Sequence, residues 1–146
     1  MQEKKFDIVI VGGGILGISL GYFLTLNSNA NILIIEQEKN ISSHTSSRNT
    51  GKVHAPFLYD PLTKKIFARI AFLGYGMWKT YSNLKGIYFK QDGVIEIAKE
   101  EKDISILKKY FDWGIKNGLE EKDILLLNEQ ETKKIEPNIR CNGSIY

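Results

Sequence analysis

Between Ile8 and Leu26 the chain runs for 19 residues without a charge, and five of those residues are glycines: Gly12, Gly13, Gly14, Gly17 and Gly21. With Lys4 and Lys5 just before it, the run imitates a signal peptide or a membrane span. A continuous helix through it would lose about 1 kcal/mol at each glycine relative to alanine, and three of the five are consecutive. A strand, a glycine turn and a helix fit the same residues better. Phe6–Val11 is β-branched and apolar except for Asp7, as expected of a strand buried on both faces of a parallel sheet. The turn spans Gly12 to Gly17. A helix over Ile15–Leu26 carries Leu16, Leu20, Phe23 and Leu24 at three- and four-residue steps, and Asn27-Ser28-Asn29 ends it. Ile32–Ile35 is a second buried strand. Strand, helix and strand within about 30 residues make a right-handed βαβ unit, which puts the chain in the α/β class.

The pattern Gly12-x-Gly14-x-x-Gly17 therefore follows a strand and opens a helix, and Glu36 stands directly after the second strand. The first glycine permits a tight turn, the second lets a diphosphate approach the backbone, and the third allows close packing of helix on strand. Free N–H groups at the helix start, together with its dipole, favour the phosphate charge. Glu36 lies 36 − 12 = 24 positions after the first glycine. This is close to the spacing of about 20 at which an acid accepts hydrogen bonds from ribose hydroxyls. Its charge would repel a 2′-phosphate. The same turn serves FAD and NAD, because both carry an ADP half.

Beyond the turn, residues 40–60 form a polar segment that is long for a connector, and long ordered loops in compact domains are usually functional. Asp60 and Pro61 are placed to cap and start a helix reaching Tyr81, with Ile66, Ile70, Leu73 and Met77 on one face. Ile87–Ala98 reads as two strands around the turn signal Asp92-Gly93. A helix over 101–117 ends at Gly118, a strand covers Ile124–Leu127, and Asn128 with Glu131 forms a capping box for a short helix stopped by Pro137. The chain halts at Gly143–Tyr146, which reads as a strand beginning. The change from parallel to hairpin logic divides the chain into residues 1–84 and 85–146.

The charge pattern narrows the partners. Seventeen Lys and three Arg against 17 Asp and Glu give a net charge of +3, with the Lys scattered singly or in pairs. Nucleic-acid binders cluster their charge and use more Arg, so this is a solvated surface. Cys141, the single cysteine, rules out a disulfide within the chain and a cysteine-based metal cluster, and it fits a reducing cytoplasm. No metal site is read from the sequence.

Residues 42–55, Ser-Ser-His-Thr-Ser-Ser-Arg-Asn-Thr-Gly-Lys-Val-His-Ala, concentrate hydroxyls, an amide, a cation and both histidines of the chain. Such groups donate to a diphosphate or a flavin edge without adding negative charge. They equally suit a solvated loop of local turns. Taken together, the stretch at 7–18, Glu36, Ser47-Arg48-Asn49-Thr50-Gly51-Lys52-Val53-His54-Ala55 and Ile135-Glu136-Pro137 resemble the FAD-dependent oxidoreductases of the D-amino-acid oxidase superfamily. Within that superfamily they are most similar to the L-2-hydroxyglutarate oxidase/dehydrogenase group. Pro56, where that group commonly has Gly, and Lys52, at a usually apolar position, depart from the pattern.

The resemblance implies a Rossmann-like FAD-binding βαβ unit in residues 1–84 and the start of a mixed α+β substrate domain in 85–146. It implies that Gly12, Gly14, Gly17 and Glu36 hold the ADP half of FAD. Ser46, Arg48, Asn49, Thr50 and Gly51 would line the diphosphate and flavin, with His54 near the reactive face. His54 then reads either as the base that takes a hydroxyl proton or as a structural histidine beside the cofactor. The implied activity is oxidation of a small 2-hydroxy acid, L-2-hydroxyglutarate foremost, with an electron acceptor left open and any membrane contact peripheral. Glycerol-3-phosphate dehydrogenases share a similar loop. The 146 residues also read as the N-terminal part of a longer enzyme, inactive alone or serving as a dinucleotide-binding fragment.

Overall fold

The computed structural model describes residues 4–146, and their packing divides between Lys52 and Val53 into two compact units. The division therefore falls well before residue 85, where the strand logic changes.

In the first unit, β1 (Ile8–Val11) pairs in parallel with β2 (Ile32–Ile35), Ile8 opposite Ile32 and Val11 opposite Ile35, and α1 (Ile15–Asn27) connects them. Asp7, the polar residue of the first apolar run, closes the entry to β2 by accepting the Asn31 N–H at 2.8 Å. The helix ends as its sequence dictates, with Asn27 Nδ2 donating to the Phe23 carbonyl and Ser28 Oγ to that of Leu24. Two expectations fail. The strands are not buried on both faces: Ile10 is buried, while Val9, Val11 and Ile35 are exposed, because among the described residues the sheet has two strands. Nor do Leu16, Leu20 and Phe23 form the inward stripe of α1, since all three are exposed. Glycines form it instead. A Cβ on Gly21 would stand 3.0 Å from Ile34 Cδ1, and one on Gly17 would collide with the Gly12 carbonyl oxygen.

The second unit opens with a 3-10 turn, Pro56–Leu58, and α2 (Lys65–Lys85). Asp60 accepts the N–H groups of Leu62 and Thr63, so it caps a turn rather than α2 itself, which starts later than expected. Ile66, Ile70, Leu73 and Met77 are exposed, and Ala68 and Ser82 are the buried positions of α2. Gly86 ends the helix in the left-handed conformation at φ 64°.

An antiparallel sheet follows in the order β3 (Glu96–Ala98), β5 (Gly143–Ile145), β4 (Leu126–Asn128), with the chain's last strand in the centre. The hairpin expected over 87–98 does not form. Only Glu96–Ala98 is a strand, and its partner is β5, so no hairpin closes around Asp92-Gly93. α3 (Ile104–Lys116) packs on this sheet, and Phe57, Ala98, Leu107, Ile124 and Ile145 make the core. α4 (Glu129–Ile135) has the expected capping box: Asn128 Oδ1 accepts the Glu131 N–H and Glu131 Oε2 accepts the Asn128 N–H.

Candidate functional site

The concave feature of the first unit is a cavity of about 420 Å3, which falls in the size range of small-molecule sites. Val11, Gly12 and Gly14 supply one wall, Ile35, Glu36 and Gln37 at the end of β2 supply another, and residues 42–46 close it. Its shape follows from the glycine turn. Gly12 has φ 108°, a conformation costly for any side chain, and its N–H donates to the Ile35 carbonyl at 2.7 Å, which locks the end of β1 to the end of β2. Gly14 precedes α1 with an ordinary extended backbone, so its lack of a side chain serves space, not conformation.

Glu36 is tied to that turn. Its Oε2 accepts the Gly13 N–H at 2.6 Å and its Oε1 accepts the Glu38 N–H at 3.0 Å. The Glu38 N–H foremost, then that of Gly13, hold the carboxyl below its ordinary value of 4.5, against desolvation, which pushes it up. The acid is thus an anion whose oxygens keep spare lone pairs for hydroxyl donors. Ser46 Oγ accepts the Ile15 N–H at 2.9 Å, which fixes the loop against the first turn of α1.

The cavity brings together Gly12, Gly14, Glu36 and Ser46 of the expected residues, and Gly17 lies beneath the turn as the contact that lets α1 approach. Arg48, Asn49, Thr50 and Gly51 do not line it. Asn49 braces the loop, donating to the Thr45 and Ser46 carbonyls and accepting the Gly51 N–H. His54 is exposed and belongs to the second unit, two residues before Pro56. Pro56 starts a buried 3-10 turn whose carbonyl accepts Asn117 Nδ2 at 3.0 Å, a position that suits proline's fixed φ and missing donor. Gln37, Ser42, Ser43, His44 and Thr45 also line the cavity and are not among the expected residues, although the hydroxyl-rich composition of 42–46 signals Ser42, Ser43 and Thr45. Among the described residues no cluster of three or more His, Cys, Asp or Glu could hold a metal, and no helix is long and apolar enough to cross a membrane.

The site's chemistry fits the ADP half of a dinucleotide: a glycine cradle, a helix start, hydroxyl donors and one acid at the strand end. Comparison with known proteins agrees. The bovine (Bos taurus) mitochondrial L-2-hydroxyglutarate dehydrogenase is 35% identical over 140 residues, covering 95% of this chain. The human enzyme of that name is 34% identical over the same share, and one from Escherichia coli is 29% identical over 97% of the chain. The chain spans only 29% of the bovine and 32% of the E. coli protein. Among solved structures, an FAD-bound L-alpha-glycerophosphate oxidase from Mycoplasma pneumoniae superposes with a TM-score of 0.82 at 25% identity, over 98% of this chain and 37% of that one. An L-proline dehydrogenase from P. horikoshii gives 0.81 at 23% identity over 99% of this chain and 37% of that one, a likeness of fold. The family model for FAD-dependent oxidoreductases matches residues 7–146, and the chain belongs to that family, DAO.

Proposed function

We propose that the protein oxidises a small 2-hydroxy acid, L-2-hydroxyglutarate first among them, and that the cavity of the first unit receives the ADP half of its FAD. The observation that carries the substrate is the 35% identity to L-2-hydroxyglutarate dehydrogenase over 95% of this chain. Glu36 accepts hydrogen bonds from the ribose hydroxyls, and the cradle at Gly12 and Gly14 receives the diphosphate. FAD, when bound, supplies the acceptor for the hydride leaving Cα of the hydroxy acid. His54 takes the hydroxyl proton as that bond to hydrogen breaks, leaving a 2-keto acid. Arg48, Asn49, Thr50 and Gly51 continue the binding loop toward the flavin. Residues 1–84 begin the FAD-binding domain and 85–146 the substrate domain. The lone Cys141 supports a reducing compartment, cytoplasmic in this reading, whereas the bovine relative is named as mitochondrial.

A second reading, glycerol 3-phosphate as substrate, draws on the superposition with the Mycoplasma pneumoniae oxidase. Stopped-flow bleaching of the flavin in the intact protein separates the two. L-2-hydroxyglutarate is expected to reduce it faster, and faster reduction by glycerol 3-phosphate would reverse the assignment. The same measurement on His54→Ala, saturated with FAD, should show a loss of about 10²–10⁴-fold. A loss below about threefold would return His54 to a structural role.

A further inference from the structure

Among the described residues, Ser42 is the one residue other than glycine with a left-handed backbone, at φ 58°. That conformation is costly for a residue with a Cβ, and glycine takes it freely. The glycine turn holds Ser42 there. Its N–H donates to the Gly13 carbonyl at 3.0 Å, and the Gly13 N–H donates in turn to Glu36 Oε2 at 2.6 Å. Gly13 thus links Ser42 on one side to Glu36 on the other. A glycine at 42 would donate the same N–H without strain, so the side chain is what a glycine would lack. Strain kept at a site in this way points to a use for the strained residue.

Ser42, Ser43, Thr45 and Ser46 line the cavity, and they differ in what their hydroxyls do. Ser43 Oγ donates to the Asn40 carbonyl at 2.7 Å and Ser46 Oγ accepts the Ile15 N–H at 2.9 Å, so both serve the loop. The hydroxyls of Ser42 and Thr45 bond to nothing among the described residues. Ser42 is half-buried and anchored beside Glu36, whereas Thr45 is exposed. A ribose presents neighbouring hydroxyls that each donate and accept. The Glu36 carboxylate can only accept, which leaves the ribose oxygens in need of a donor. A serine hydroxyl supplies one without adding a second negative charge.

We propose that Ser42 is a ribose contact: its Oγ–H donates to a ribose hydroxyl whose own proton goes to Glu36, and the left-handed strain is retained for that bond. This rests on the reading of the cavity as an ADP site.

The test uses the intact protein freed of FAD, titrated calorimetrically with ADP and with 2′,3′-dideoxy-ADP, together with its melting temperature without ligand. Ser42→Ala keeps the strained backbone and loses the hydroxyl. It should bind ADP about three- to tenfold more weakly, the scale of one neutral hydrogen bond, and bind the dideoxy analogue within about twofold of wild type. Ser42→Gly should show the same selective loss while melting at a higher temperature than wild type, because the strain is gone. Unchanged ADP affinity in Ser42→Ala would overturn the proposal, as would equal losses for ADP and the analogue. A lower melting temperature in Ser42→Gly would also overturn it, since no strain would then be held for function. Wild-type protein that binds ADP and the analogue equally would remove the ribose contact while leaving the cavity as a nucleotide site. Wild-type protein that binds neither ADP nor FAD would overturn the reading of the cavity itself, a result visible before any variant is made.

Discussion

At Glu36 one carboxylate serves both the backbone and a ligand. The Glu38 and Gly13 N–H groups occupy one lone pair on each oxygen, and ribose hydroxyls can use the remainder. Because those bonds favour the anion, the carboxyl titrates below its ordinary value of 4.5 in the folded chain. A lowered carboxyl contributes stability in full above the unfolded value, and that contribution fades as pH falls through the folded one. Glu36→Ala should therefore flatten the acid side of the stability profile below about pH 4.5, measured by urea unfolding at successive pH values. It should also weaken FAD binding about ten- to hundred-fold. An unchanged profile would show that the Gly13 and Glu38 bonds do not persist in solution. Residues of this kind are legible in sequence because the motif fixes their place at a strand end. The place of His44 in the cavity is not, since nothing in its neighbours shows that its ring would meet Glu38, six positions earlier.

On the scale of elements, the βαβ unit was readable to within two residues at each boundary because its signals are local: a β-branched run, a glycine turn, a second run. The inward face of α1 was not. An apolar stripe normally marks the buried side of a helix, but here the helix lies so close to the strands that a side chain at 17 would collide with the Gly12 carbonyl and one at 21 would press on Ile34, while Leu16 and Leu20 are exposed. The hairpin over 87–98 failed for the opposite reason. The partner of β3 is β5, whose residues lie far along the chain, and no local pattern encodes that pairing. Gly93 does take a left-handed conformation at φ 80°, with the Tyr146 ring against it, although no hairpin closes there. The glycines of the first turn now separate by role. Gly17→Ala drives a methyl group into the Gly12 carbonyl and should cost about 1–3 kcal/mol of stability. Gly14→Val keeps an allowed backbone, places its Cβ 3.1 Å from Ser46 Oγ and fills the cradle. It should lose FAD while its helical circular dichroism persists. Normal flavin content in Gly14→Val would leave this turn a purely structural device.

Across the whole chain, the loop that reads as one polar segment from residue 40 to 60 is divided by packing. Residues 42–46 line the cavity of the first unit, while Pro56, Phe57 and Tyr59 are bound into the second through its core and Asn117, whose Nδ2 donates to the Tyr59 carbonyl at 2.7 Å. Composition could mark the segment as functional but could not divide it, because hydroxyls suit both a ligand and a turn, and the anchor Asn117 lies far away in sequence. All eleven lining residues of the cavity come from the first unit, so the integrity of the second should not set nucleotide affinity. Ile124 offers the means to check this. It is 1% exposed within the core formed with Phe57, Leu107 and Ile145, and truncation to alanine should cost about 2–5 kcal/mol through lost burial and the cavity left behind. In the intact protein, Ile124→Ala should lower the melting temperature while the affinity for ADP, titrated well below that temperature, stays within about twofold of wild type. A parallel fall in ADP affinity would mean that the two units cooperate in forming the site, and that the division at Lys52 does not separate binding from the core of the second unit.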